Sequence, residues 1–178
     1  VKEYKPIHFK SVEGLYSEGI NVPEADAVVD ILANQIEPID NGEMPSVGVA
    51  TTNIAQRNLI WDRISKRRFE DPEFSKKMAS LNNNGFFVKN LENIQGDERD
   101  IIIMATTFGP DEEGNFRQNF GPLNQTDGYR LLNVIITRAK YQVYVCSSIP
   151  TPMFSNYKKL IEENGNNGRG IFYAYLAY

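Results

Sequence analysis

The apolar residues fall into two textures along the chain. Ile101 to Ala105 is apolar at every position and Val47 to Thr51 nearly so. Unbroken runs of this length predict strands buried on both faces, as a parallel sheet covered by helices requires. Tyr141 to Cys146 predicts a further strand from its β propensity, Phe86 to Val88 a short one, and Pro6 to Lys10 an edge strand. Between these runs the spacing changes. Val28, Ile31, Leu32 and Ile36 recur at helical intervals and predict a helix over 22–37. Asn21 and Glu24 stand at capping-box spacing, Pro23 sits in the first turn, and Pro38 stops the run. Ile60 and Ile64 predict a helix over 54–69 behind the polar Thr52-Asn53. Asp71 and Pro72 cap and open a short polar helix over 71–81, and Asn82 to Gly85 is a turn. A helix over 128–140 is expected behind Thr126 or Asp127. In the tail, Met153, Tyr157, Leu160 and Ile161 again follow helical spacing.

This alternation implies an α/β fold, a mostly parallel sheet with helices on both faces. Length fits one domain over 1–178, with a core over 20–150 and a helical extension over 151–178. In open sheets of this kind ligands gather at the carboxyl ends of the strands, here at Thr52, Leu91 to Gln95 and Thr106 to Phe108.

One polar stretch has no packing explanation. Gln95-Gly96-Asp97-Glu98-Arg99-Asp100 sets four charges directly before the most apolar strand. With the following Ile101-Ile102-Ile103 it resembles motif V of superfamily 1 helicases, in the branch of the RNA-surveillance helicases and many bacterial DNA helicases. Val47 to Arg57 resembles motif IV and Arg130 to Lys140 motif VI, with Gly121-Pro122-Leu123-Asn124 ahead of the last as in a bacterial subgroup. Many relatives carry two arginines before the Leu-Asn of motif VI; here the second position is Leu131.

The resemblance implies a three-layer RecA-like domain, the second motor domain (domain 2A) of an ATP-dependent helicase acting on single-stranded or duplex DNA, or on RNA. It implies Arg138 as the arginine finger, a role suited to a planar, permanently charged guanidinium. Arg57 resembles a second phosphate-contacting arginine, with Gln56 beside it in the nucleotide site. Glu98 matches the acid that accepts a hydrogen bond from the ribose, Gly96 lets backbone approach the nucleotide, and Gln95 couples the nucleotide to the nucleic-acid track. Thr51, Thr52, Asn53, Asn90 and Asn93 are the expected nucleic-acid contacts, of the kind that reads no sequence. No Gly-x-x-x-x-Gly-Lys-Ser/Thr segment occurs in the 178 residues. ATP and Mg²⁺ are therefore expected to be held mainly by an N-terminal RecA-like domain of the same longer chain, and this piece is expected to be inactive alone. A helicase-like scaffold without hydrolysis is the alternative reading.

Composition narrows the setting. Hydrophobic residues make up 41% and charged residues 24%, as in ordinary globular proteins. The net charge of −4 argues against a free-standing basic nucleic-acid binder, so any such contact is local. A single Cys and a single His leave no metal constellation and fit a reducing cytoplasm, and no run is long enough to cross a membrane. The basic cluster Arg57, Arg63, Lys66, Arg67 and Arg68 reads first as a solvated helix face and second as a phosphate contact.

Overall fold

The computed structural model describes residues 7–94, 96–116 and 135–152. In chain order these form β1 (Ile7–Ser11), α1 (Val22–Asn34), β2 (Val47–Thr51), α2 (Ile54–Glu70), α3 (Pro72–Asn83), β3 (Phe87–Asn90), a 3₁₀ turn over Leu91–Asn93, β4 (Arg99–Ala105) and β5 (Ala139–Ser147). The strands make one five-stranded sheet in the order β1-β5-β4-β2-β3, and every adjacent pair is parallel. The α/β class expected from the apolar runs is the class observed.

Alternation along each strand divides the core between the faces. Val49, Val88, Ile103 and Cys146 point to one side, where Val28 and Leu32 of α1, Ile60 and Ile64 of α2, and Phe74, Met78 and Leu81 of α3 cover them. Ala50, Phe87, Ile102 and Met104 point to the other, against Leu91, Ile94, Phe108, Ile135 and Ile149. Leu32 is fully buried, and truncating such a residue to Ala costs about 2–5 kcal/mol. Gly48 has no room for a side chain: a Cβ there would meet the Phe87 ring at 2.3 Å.

The structure departs from the sequence reading in three places. Helix α1 ends at Asn34, and Ile36 is buried beyond it, at the start of the turn. The helix expected over 128–140 is helical at 135–137, but by Ala139 the chain is already strand. Sheet pairing takes it, since Arg99 N–H donates to the Arg138 carbonyl at 2.9 Å and Arg99 pairs with Ala139. The capping box is half built. Asn21 Oδ1 accepts from the Glu24 N–H as expected, but the Asn21 N–H is taken by Gln56 Oε1 and the Glu24 carboxylate turns inward.

Candidate functional site

Of the expected nucleotide groups, Gly96, Glu98 and Arg138 lie together at the amino-terminal edge of β4 and β5. Residues 96–98 lead into β4, and Arg138 immediately precedes β5. Because Arg99 and Ala139 are register partners, the residues before them are neighbours in space. Arg138 Nη1 lies 3.9 Å from Glu98 Oε1, with the side chains 28% and 56% exposed. That separation is an ion pair without a hydrogen bond. Arg138 Nε is buried and has no acceptor among the described residues. A buried guanidinium donor with no partner carries a desolvation cost that an arriving oxyanion relieves.

The neighbouring charges hold the loop rather than the pair. Gly96 takes φ +85°, which disfavours any side chain there. Lys89 Nζ meets Asp97 Oδ2 at 2.7 Å. That bond holds the Asp97 carboxyl below its usual range against the opposing effect of burial, with Arg99 and Arg138 adding weaker attraction. Arg99 donates through Nε to the Gly85 carbonyl at 2.9 Å and through Nη1 to the Glu98 carbonyl at 2.7 Å. Asp100 and Ser46 bond each other reciprocally across the start of β4 and β2, a tie between the two strands.

Arg57 and Gln56 are not brought to this edge. Arg57 lies on α2, which covers one face of the sheet, whereas Arg138 immediately precedes β5 at the amino-terminal edge. Arg57 Nε donates to the Val88 carbonyl at 3.0 Å, which steadies β3. Gln56 is fully buried. It accepts from the Asn21 N–H at 2.8 Å and donates to the Asn21 carbonyl at 2.9 Å, so the structure gives it the task of fastening α1 to α2. Gln95 lies outside the described residues, as do Arg130 and Leu131.

The expected nucleic-acid residues lie at the opposite, carboxyl-terminal edge. There, Thr51 Oγ1 donates to the Asn53 carbonyl and Thr52 Oγ1 to the Thr106 carbonyl. Asn53 caps α2 and reaches Gly19 at 2.9 Å. These side chains are already engaged. Asn90, by contrast, is buried with Oδ1 unpartnered, and Asn93 is exposed.

At the same edge stands a carboxylate that sequence reasoning took for a simple cap. Glu24 is fully buried. It accepts from the Thr107 N–H at 2.7 Å, from the Thr106 and Ser148 hydroxyls at 3.2 and 3.1 Å, and from Asn21 Nδ2 at 3.1 Å. Burial raises its pKa from 4.5 to about 7, and those hydrogen bonds pull it back only in part. The contacts fix Thr107 at φ +71°, a strained conformation for a β-branched residue. The Asn21/Glu24 spacing was the available signal, but nothing local to it names Thr107 or Ser148. Nearby Cys146 is buried with its thiol pushed up to about 12 by desolvation, so it packs as a small hydrophobe.

The basic face of α2 is largely used internally. Arg63 faces Asp26 at 3.6 Å, Arg67 meets Asp71 at 3.2 Å, and Arg68 Nε lies 3.5 Å from Ser75 Oγ. Among the described residues there is no cluster of metal-ligating side chains, and no helix is long and apolar enough to cross a membrane.

Comparison with known proteins adds a family to this geometry. The profile of a family described as "AAA domain" matches residues 7–149. Similar curated proteins include an uncharacterized ATP-dependent helicase MG140 homolog of Mycoplasma pneumoniae, 33% identical over 171 residues, covering 94% of this chain and 14% of that protein. The uncharacterized ATP-dependent helicase MG140 of Mycoplasma genitalium is 36% identical over 136 residues, covering 74% of this chain and 11% of that protein. The chain thus spans a small part of the length of these relatives. Among solved structures, the C-terminal domain of a possible DNA helicase from Lactobacillus plantarum aligns over 74% of this chain and 88% of its own, at 13% identity and a TM-score of 0.22. That likeness is too slight to bear on the site.

Proposed function

The chain belongs to the AAA domain family and is homologous to proteins named ATP-dependent helicases, and on that premise we propose that it is the second RecA-like motor domain of a superfamily 1 DNA helicase. In this reading a preceding domain of the longer protein holds the triphosphate, and this domain closes over it. Arg138 is the finger directed at the transferring phosphoryl group, and Glu98 accepts a hydrogen bond from the ribose. Gly96 lets the loop backbone approach the nucleotide. The observation that carries the reading is the state of Arg138: buried at Nε without an acceptor and only loosely paired to Glu98.

Both side chains cannot keep that pairing once a nucleotide lies between them. Closure therefore exchanges a weak carboxylate contact for phosphate contacts made in the transition state, which is the condition for a gain in rate. In this reading Mg²⁺ is held mainly by the preceding domain. Arg57 and Gln56 serve the site indirectly in this reading, by steadying β3 and the α1–α2 junction. At the far edge Asn90 and Asn93, with the backbone at Thr51 to Asn53, form the wall proposed to follow the nucleic-acid backbone.

The test is steady-state ATP hydrolysis by the full-length protein with single-stranded DNA present. Arg138→Ala is expected to abolish turnover while thermal unfolding stays where it was. Undiminished turnover would overturn the proposal.

A further inference from the structure

The loop that carries Glu98 is fastened to a strand that contributes nothing to the Arg138 pair. Ile94 anchors one end of the loop in the core, and Arg99 begins β4 at the other. In between, a Cβ built at Gly96 would meet no atom within 4 Å among the described residues. The turn closes through Asp97 N–H to the Ile94 carbonyl at 3.1 Å. Two side chains tie the loop at Glu98: Arg99 Nη1 donates to the Glu98 carbonyl at 2.7 Å, and Lys89 Nζ reaches from β3 to Asp97 Oδ2 at 2.7 Å.

Lys89 is itself held. Its ammonium lies 5.1 Å from the Phe87 ring centroid, and the Arg99 guanidinium lies 4.9 Å from the same ring. Phe87 is seated over Gly48, where no side chain fits. The ring is therefore a fixed post between two cations, and one of them reaches across to the loop.

We propose that Lys89 is a positioning residue for the nucleotide loop: it clips Asp97 to β3 and so sets where Glu98 stands relative to Arg138. The inference rests on the motor reading above. An exposed salt bridge on a rigid surface contributes little to stability. Here the same contact ties down the turn beside Gly96, which faces open space, so its effect falls on geometry.

The experiment is ATP hydrolysis by the full-length protein, with KM and kcat measured separately. Lys89→Ala is expected to raise KM for ATP roughly 10-fold to 100-fold, the scale of a misplaced binding group, with kcat and thermal unfolding changed much less. Asp97→Asn, close in shape and partly exposed, is expected to raise KM by a similar factor. Exchanging the charges, Lys89→Asp together with Asp97→Lys, is expected to recover most of the loss. An unchanged KM in Lys89→Ala or in Asp97→Asn, beside an inactive Arg138→Ala, overturns the clip and leaves the motor reading intact. An active Arg138→Ala removes the motor reading and the clip with it.

Discussion

The two edges of the sheet are built on opposite plans. At the carboxyl edge Glu24, Asn21, Gln56, Thr52, Thr106 and Ser148 form one hydrogen-bonded network that joins α1, α2, β4 and β5, with Thr107 Oγ1 and Asn90 Oδ1 left unpartnered beside it among the described residues. At the amino edge the charges outnumber their tight contacts: Lys89 and Asp97 meet at 2.7 Å, while Arg138 and Glu98 stand at 3.9 Å with a donor to spare. Buried polar groups hydrogen-bonded to one another stiffen a fold, whereas a cation held short of its partner stays available. The contrast separates scaffold from candidate chemistry within one sheet.

The largest expected effect tests whether that spare donor matters. Arg138→Ala should lower ATP turnover of the full-length protein by about 10³-fold or more, while Arg68→Ala, on the internally used face of α2, should change it less than about twofold. Equal effects would erase the distinction between the two arginines. Next comes the carboxyl-edge network. Glu24→Ala strands the Thr107 N–H and the Thr106 and Ser148 hydroxyls and should cost about 3 kcal/mol in urea unfolding, with little direct effect on nucleotide contacts.

The same carboxylate gives the network a pH dependence with a definite sign. The Glu24 pKa is raised from 4.5 to about 7 in the folded state, so between those values the folded protein binds more protons than the unfolded chain. Its protonation therefore contributes stability that is fully present below about 4.5 and is lost as pH rises toward 7. Relative to Glu24→Gln, the wild type should lose about 3 kcal/mol across that window and then level off. A flat difference between the two unfolding profiles would refute the assignment. The smallest effect concerns a single cap: Asn53→Ala, which removes the N-cap of α2 and its bond to Gly19, should cost about 1 kcal/mol by thermal unfolding.

Much of this was legible before any coordinates. Strand β2 falls where Val47 to Thr51 predicts it, and α2 and α3 start behind the caps Asn53 and Asp71. The sequence marked Glu98 and Arg138 separately, with Arg138 expected on a helix; that they stand 3.9 Å apart follows from the pairing of β4 with β5, which only the structure gives. Other assignments were not readable. Gln56 looked like a nucleotide group because its neighbours belong to a motif, yet its partner is Asn21, 35 residues away. Glu24 looked like a cap, and its partners Thr107 and Ser148 lie 83 and 124 residues along the chain.

What the sequence by itself determined is therefore whatever depends on neighbours along the chain: apolar period, caps, turns, and the charged segment ahead of β4. Tertiary structure alone decided which polar groups are spent and which are spare. A hydrogen bond is a matter of distance and angle across elements, and no local pattern reports that Arg57 reaches Val88 while Arg138 Nε meets no acceptor among the described residues. The physical reason is that side-chain satisfaction is settled by how the parallel strands set their ends side by side, which residue spacing within any one strand does not encode.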